Sequence, residues 1–216
     1  METTPLVVVG AAGTGREVLD IIAACNADGA RWEVVGVLDD GPSPQNLERL
    51  AARDVPYLGT IEDFRAAGSR SVHHFTLGVA FPHLRRLLAA KVEAGGLRPV
   101  TLVHPQAILG SQVVLGEGTT IYAGAQLSTN VRTGRHTIVN MNAAVGHDSS
   151  LGDFTAVNPA ATISGDAHMA DGVLLGGRAT VLQGLTVGAD AVVGAAALVT
   201  KDVPPGVVVK GVPGRW

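Results

Sequence analysis

The sequence predicts a Rossmann-like α/β domain over residues 1–100, followed by an all-β domain, a parallel β-helix, over residues 101–203. A closing segment covers residues 204–216. Three observations support this. An apolar residue recurs every six positions through the second half. A glycine-rich turn joins a strand-like run to a helix-like run near the start. Aromatic residues make up only 4% of the 216 residues while glycine numbers 28, so the core must be built from small and β-branched side chains.

The first half begins with strand, turn, helix and strand. Leu6 to Val9 reads as a buried strand, Arg16 to Ala24 as a helix, and Val34 to Leu38 as a second strand that ends in Asp39 and Asp40. Three glycines occupy the turn between the first strand and the helix: Gly10, Gly13 and Gly15. Closely spaced glycines at a helix N-terminus let the backbone approach an anion, and an acidic residue after the next strand can accept hydrogen bonds from a ribose or base. A structural turn without a ligand is the alternative.

The period of six begins after His104 and Pro105. Stepping by six from Val103 to Val199, every residue is apolar except Thr133, and a second series four positions later, ending at Val203, is mostly small or β-branched. One hexad cannot bury its apolar side chain alone. Three hexads can close a triangular coil, and coils can stack so that residues 18 apart lie above one another.

Glycine is frequent at the second position of the hexads. This enrichment predicts either a positive φ or close packing of the backbone at that position. The glycines concerned are Gly110, Gly116, Gly134, Gly146, Gly152, Gly176, Gly188 and Gly194.

Composition argues against several partners. The net charge is −3 with no basic cluster, so we expect neither nucleic acid nor an anionic membrane as a partner. The single cysteine, Cys25, cannot form an internal disulfide, and no apolar run reaches the length of a membrane span. We therefore expect a cytoplasmic protein.

The hexads resemble those of the left-handed β-helix acyltransferases, which read aliphatic, glycine or similar, two variable residues, then a small residue. The tail from Val199 to Gly206, followed by Gly211 to Gly214, also looks like the closing segment of that family. The resemblance implies a left-handed coil, an enzyme, and a homotrimer in which acyl-CoA lies in the groove between adjacent prisms.

The whole chain resembles one subgroup, the sugar acyltransferases that include bacillosamine-pathway acetyltransferases and sialic-acid O-acetyltransferases. In that subgroup the glycine loop and the acidic pair hold the nucleotide of a nucleotide sugar. The residues that this resemblance implies here are Gly10, Gly13, Gly15, Asp39 and Asp40. Arg85, which follows the run Leu77 to Val79, matches a basic residue often found there. Thr14 and Ala12 depart from the usual His and Gly of this loop.

Acetyl transfer from a thioester needs a base for the nucleophile's proton, and histidine suits that role near neutral pH. Among the seven histidines, only His147 is followed by a carboxylate, Asp148. The family motif places an Asn seven residues before a His-Asp or His-Glu pair, and Asn140, His147 and Asp148 fit it. The resemblance therefore implies that His147 is the general base, that Asp148 orients it, and that Asn140 belongs to the same site.

Stacking of the coils predicts which residues join this pair. Residues 18 apart place Gly165 beside His147, and place Asn130 and Asp166 on either side of Asp148. Two carboxylates roughly 5 Å apart disfavour each other's ionisation unless His147 or a substrate cation, such as a 4-amino sugar, lies between them. Gly165 is either a donor of its N–H to the thioester oxyanion or a plain corner glycine.

The resemblance implies acetyl-CoA as co-substrate and no metal. Its expected contacts, besides Gly165, lie on later coils: Asn158, Gly176, Gly177 and Ala195. Ala156 stands where family members often carry a histidine that touches acetyl-CoA, and Met141 where Thr is usual. The space at Ala156 allows either a longer acyl chain or neutral drift.

Other functions compete with this one. The γ-type carbonic anhydrases bind zinc on the same prism, but here His104, His136, His147 and His168 occupy four different hexad positions and do not share a column. A non-catalytic trimer that binds a nucleotide sugar is a second alternative, and acylation of a non-nucleotide acceptor such as serine a third. Whether the acceptor is an amine or a hydroxyl stays open.

Overall fold

The computed structural model describes residues 3–68 and 72–216. The chain divides into two compact units, Met1–Ala80 with Leu84–Val100, and Phe81–His83 with Thr101–Trp216. Within the described residues, no helix is both long enough and apolar enough to cross a bilayer.

The first unit is built on a four-stranded parallel sheet with the strand order β2-β1-β3-β4. Leu6, Val7 and Val8 of the central strand are completely buried, as expected for a parallel sheet. The predicted strands and helices are present, with bounds that differ by a few residues. The elements are β1 (Thr4–Val9), α1 (Gly13–Ala27), β2 (Trp32–Leu38), α2 (Pro44–Ala51), α3 (Ile61–Ala66), β3 (His74–Leu77), α4 (Pro82–Glu93) and β4 (Arg98–Pro99).

The helix starts of this unit differ in how they are capped. Ser43 caps α2 by accepting a hydrogen bond from the backbone N–H of Asn46, and Thr60 with Asp63 forms a capping box on α3. The first helix, α1, begins after Ala12, whose side chain makes no capping bond, and its first turn carries no acidic residue. No side chain of α1 itself therefore neutralises the positive end of the helix dipole.

The second unit is a parallel solenoid with three faces, each a sheet of two-residue strands. The first face contains β5 (Leu102–Val103), β7 (Thr120–Ile121), β10 (Ile138–Val139), β13 (Ala156–Val157), β16 (Leu174–Leu175), β19 (Val192–Val193) and β21 (Val208–Val209). The second face contains β6 (Ile108–Leu109), β8 (Gln126–Leu127), β11 (Ala144–Val145), β14 (Thr162–Ile163), β17 (Thr180–Val181) and β20 (Leu198–Val199). The third face contains β9 (Arg132–Thr133), β12 (Ser150–Leu151), β15 (His168–Met169) and β18 (Thr186–Val187).

The predicted stacking of residues 18 apart is confirmed. Val139 pairs with Val157, Val145 pairs with Ile163, and these side chains fill one continuous apolar core. The register changes only in the last coil, where Val187 bridges to Val203 and Val193 pairs with Val209, 16 residues apart in each case. Val203 thus stacks on a first-position residue, so the hexad register ends before the predicted Val203.

Of the two alternatives predicted for the second-position glycines, the structure shows close packing and not a positive φ. Positive φ angles occur at the fourth position instead, for example at Asn130, Asp148 and Asp166. The second-position glycines are needed for close packing: a Cβ on Gly110 would lie 2.8 Å from the backbone carbon of Ser128 on the next coil. The fourth position makes the corner, and Asn and Asp tolerate a left-handed conformation better than most residues.

Candidate active site

His147 and Asp148 lie at the corner where the second face turns into the third, between β11 and β12, which we call the catalytic corner. The His147 Nδ1 is 2.7 Å from the Asp148 Oδ2, and the two side chains are 51% and 49% exposed. The corner conformation of Asp148, with a φ of 60°, folds its carboxylate back toward the preceding histidine. The predicted pair is therefore present as a hydrogen-bonded couple open to solvent.

Asn130, one coil before Asp148, completes this couple. Its Nδ2 donates to the Asp148 Oδ1 at 2.8 Å. The hydrogen bonds from Asn130 and from His147 hold the pKa of Asp148 below its ordinary value. An ionised carboxylate only accepts hydrogen bonds, so the His147 Nδ1 is the donor of this bond, and Nε2 is the ring nitrogen that Asp148 does not engage.

Asp148 and Asp166, which the sequence predicts to repel each other, have different partners in the structure. Asp148 directs one oxygen to Asn130 and the other to His147, whereas the Asp166 Oδ1 lies 3.9 Å from the His168 Nε2. The backbone N–H of Asp166 donates to the carbonyl of His147 at 2.7 Å, which confirms the stacking itself. Asp148 is thus stabilised by the amide of Asn130 and by His147, one of the two groups expected to relieve the repulsion between the carboxylates.

Gly165 provides the space in which the imidazole of His147 rests. A Cβ at Gly165 would lie 2.6 Å from the His147 Cε1 and 2.9 Å from its Cδ2. A side chain at Gly165 would therefore displace the ring. This steric need gives the glycine a function beyond that of a plain corner residue.

The remaining predicted acyl-CoA residues, and the predicted substrate-binding residue Asn140, lie at a different corner. Asn140, Asn158, Gly176, Gly177 and Ala195 all follow strands of the first face, where the chain turns into the second face; we call this the cofactor corner. The Asn140 Oδ1 accepts from the Met141 N–H at 2.7 Å. Within one chain, the strands of the second face separate the cofactor corner from the catalytic corner, so the solenoid does not bring Asn140 together with His147.

Ala156, where the family often has a histidine, offers no opening. It is 1% exposed in β13, so its small side chain is covered rather than facing a groove. The space that the sequence suggested there for a longer acyl chain is therefore not accessible in the single chain.

In the first unit, two of the three loop glycines are required by packing. A Cβ on Gly10, whose φ is 116°, would lie 2.6 Å from the carbonyl oxygen of Gly78, and a Cβ on Gly15 would collide with the carbonyl oxygen of Gly10. These contacts join the ends of β1 and β3 to the start of α1. Gly13 differs, because a Cβ there would meet no atom within 4 Å. Only Gly13 faces free space that a ligand could fill.

The acidic pair is engaged within the unit. Asp39 accepts hydrogen bonds from the backbone N–H groups of Ala11 at 2.8 Å and Gly41 at 2.9 Å. Asp40 accepts from the Ile61 N–H at 3.0 Å and forms a 2.6 Å ion pair with Lys91. A nucleotide would share these carboxylates with the bonds already present, and the hydrogen bond to Ala11 also makes Asp39 a support of the glycine loop.

Two arginine side chains hold this region, and the first of them, Arg16, was missed in the sequence. The Arg16 Nη1 donates to the Ala11 carbonyl at 2.9 Å and to the Asn46 Oδ1 at 2.8 Å. Arg85, predicted to contact substrate, is completely buried, and its Nη1 donates to the Val79 carbonyl at 2.9 Å. A side chain with no exposed surface supports the end of β3 rather than meeting a ligand from solvent.

The part of the chain that the structure describes contains no group of three or more His, Cys, Asp or Glu side chains placed to hold a metal ion.

Comparisons with known proteins agree with this architecture. Residues 5–92 match the family described as the PglD N-terminal domain. No curated protein sequence matches the chain.

Solved structures match over the full length. PerB from Caulobacter crescentus, in complex with CoA and GDP-perosamine, has a TM-score of 0.86 and 27% identity, with 99% of this chain and 97% of that chain covered. The acetyltransferase domain of PglB from Neisseria gonorrhoeae in complex with acetyl coenzyme A has a TM-score of 0.82 and 25% identity, with 99% of each chain covered. WeeI from Acinetobacter baumannii has a TM-score of 0.83 and 25% identity, again with 99% of each covered.

A variant of the Caulobacter GDP-perosamine N-acetyltransferase, with one histidine replaced by alanine, also matches with a TM-score of 0.84, 26% identity, and 99% and 97% of the two chains covered. These matches identify the solenoid as a left-handed β-helix.

Proposed function

We propose that this chain, a member of the left-handed β-helix sugar acyltransferases, transfers the acetyl group of acetyl-CoA to the amino group of a nucleotide-linked sugar. One observation carries the mechanism: the hydrogen-bonded series Asn130, Asp148 and His147 at an exposed corner, in which Asp148 contacts the His147 Nδ1 and not its Nε2. An amino acceptor is favoured over a hydroxyl because the matching GDP-perosamine enzyme is an N-acetyltransferase.

The proposed chemistry uses His147 as general base. The neutral acceptor nitrogen attacks the thioester carbon, its proton passes to Nε2, and the Nδ1–H stays bonded to Asp148, which stabilises the imidazolium that forms. When the carbon–sulfur bond breaks, the imidazolium returns the proton to the CoA thiolate. The N–H of Gly165, adjacent to the ring, is the proposed donor to the oxyanion.

The glycine loop of the first unit is the proposed site for the nucleotide. The start of α1 has no side-chain cap and no acid in its first turn, so its N–H groups and dipole favour a phosphate. Gly13 leaves room beside them, and Asp39 and Arg16 hold the loop in shape. We assign Asp40 and Arg85 to support of the same unit.

We further propose a homotrimer. The catalytic corner and the cofactor corner are the two edges of the second face. If three copies turn this face toward a common axis, the catalytic corner of each chain meets the cofactor corner of the next, and the ring closes. Acyl-CoA would then lie between two chains, against Asn158, Gly176, Gly177 and Ala195 of one and His147 of the other. We also place the protein in the cytoplasm, because the lone Cys25 cannot form an internal disulfide.

A CoA-release assay against a panel of UDP-, GDP- and dTDP-linked amino sugars tests the function. We expect one of them to be acetylated, and His147→Ala to lower kcat by about 10²- to 10⁴-fold. Binding of a nucleotide sugar without turnover would favour the non-catalytic alternative. Turnover of serine, or of longer acyl-CoA alone, would contradict the proposed substrates, and full activity of His147→Ala would contradict the proposed base.

A further inference from the structure

Asn130 is the member of the hydrogen-bonded series Asn130, Asp148 and His147 that lies outside the family motif. That motif consists of Asn140, His147 and Asp148. Asn130 lies 17 residues before His147 and 18 before Asp148, on the preceding coil. Its Nδ2 donates to the Asp148 Oδ1 at 2.8 Å while the other carboxylate oxygen is 2.7 Å from the His147 Nδ1. The two hydrogen bonds fix the plane of the carboxylate from both sides.

The backbone presents Asn130 and Asp148 in the same way. Both residues have a φ of 60°, in the left-handed corner of successive coils. The N–H of Asn130 donates to the Ser111 carbonyl, and the N–H of Asp148 to the Thr129 carbonyl, each at 3.0 Å. Because the ladder holds both backbones one coil apart, the two side chains meet without further ordering of the chain.

The chemistry of the amide matters. A carboxylate left with one free oxygen beside an exposed histidine can rotate, and then Nδ1 loses its fixed acceptor. An Asn donor stabilises the ionised form of Asp148 without adding a positive charge. A Lys or Arg in its place would compete with His147 for the Asp148 carboxylate. The bond lowers the pKa of Asp148 more than any other contact that it makes.

We propose that Asn130 is a positioning residue for acyl transfer: it orients Asp148, and through Asp148 it holds the His147 imidazole with Nε2 directed at the acceptor. This inference rests on the proposed function. A motif made only of residues close in sequence does not identify this part of the site, because the supporting amide comes from the preceding coil.

The test is Asn130→Gly, compared with Gln112→Gly as the matched control. Glycine suits a φ of 60°, so neither change strains the corner, and Gln112 occupies the same column with the same φ one coil further from Asp148. We expect Asn130→Gly to lower kcat about tenfold with KM for both substrates within about twofold, because an imprecisely held base affects the transition state more than binding. We expect Gln112→Gly to keep normal kinetics.

A double-mutant cycle separates positioning from a general structural effect. If Asn130 acts through Asp148, adding Asn130→Gly to Asp148→Asn should reduce kcat by less than about twofold further. Unchanged kcat in Asn130→Gly, with His147→Ala inactive, would overturn this inference and leave the proposed function standing. Fully additive losses would also overturn it. If His147→Ala were itself fully active, the proposed function would be the part that failed.

Discussion

At the catalytic corner, the imidazole of His147 occupies the space where a side chain on Gly165 would lie. Gly165→Ala would place a Cβ 2.6 Å from the His147 Cε1, so the ring must move away from its position beside Asp148. We expect kcat to fall about 10- to 100-fold, because a displacement near 1 Å is enough to misplace a general base. Steady-state kinetics with acetyl-CoA and the best sugar nucleotide measures this loss.

The matching control is Gly41→Ala on the first unit, since a Cβ there would meet no atom within 4 Å. It should leave kcat nearly unchanged. Equal thermal unfolding temperatures for wild type and Gly165→Ala would show that the loss is local to the ring. A Gly165→Ala enzyme with normal kcat would contradict the role assigned to this contact.

The residues and the family motif together predicted the His147–Asp148 couple, but not which neighbour supports it. The period of six placed Asn130 and Asp166 in the column of Asp148, yet it could not say which neighbour would make the hydrogen bond. The answer depends on the side-chain rotamers at the corner. In the structure, Asn130 makes the hydrogen bond to Asp148. The period also places Gly165 beside His147. Its steric role could not be predicted, because that role depends on where the imidazole ring lies.

At the scale of elements, the partners of the acidic pair after β2 could not be predicted from the sequence. A carboxylate after the second strand of a nucleotide-binding unit is compatible with ligand contact, but the structure engages both residues internally. Asp40 joins the start of α3, through the Ile61 N–H, to Lys91 on α4. The partner on α4 is 51 residues away in sequence, so only the folded arrangement reveals it.

This ion pair predicts a pH-dependent contribution to stability. The hydrogen bond from Lys91 is the largest cause that lowers the pKa of Asp40, so Asp40 contributes stability that is present above the ordinary carboxyl pKa and is lost as the pH falls through the lower folded value. Lys91→Met should therefore lower the Tm at pH 7, and the difference from wild type should shrink steadily between about pH 5 and about pH 2.

Differential scanning fluorimetry over that pH range measures the effect, with Lys210→Met as a control on the other unit. The difference at pH 7 should be small, since both side chains are partly exposed and surface ion pairs contribute little. A Tm difference that is the same at every pH would show that Lys91 stabilises by packing instead of by charge.

For the whole molecule, the hexad period predicted most of the solenoid, because one apolar residue in six must point inward on every coil. It did not predict the change to a 16-residue step after Val199, since the closing segment pairs β21 with β19 through a shorter connection. Nor did it reveal that the predicted site residues lie at two corners of the same chain. That division depends on which face each hexad occupies.

The two corners predict complementation between chains. His147→Ala removes the base at the catalytic corner, and Gly177→Phe obstructs the cofactor corner, where a Cβ has room and the fold should persist. Each variant alone should be nearly inactive. If the groove lies between chains, co-expressed variants should regain part of the activity, because some interfaces pair an intact His147 from one chain with an intact Gly177 from the next.

Activity of the co-purified mixture, with the oligomer's mass followed by light scattering, decides between a shared groove and a site within one chain. A mixture of His147→Ala with the doubly substituted chain is the control, and it should stay inactive because no chain carries the base. If the site were confined to single chains, every chain in the first mixture would hold one defect, and co-expression would restore nothing. Mixed assemblies that form but remain inactive would therefore contradict the interfacial site, whatever the kinetics of each variant alone.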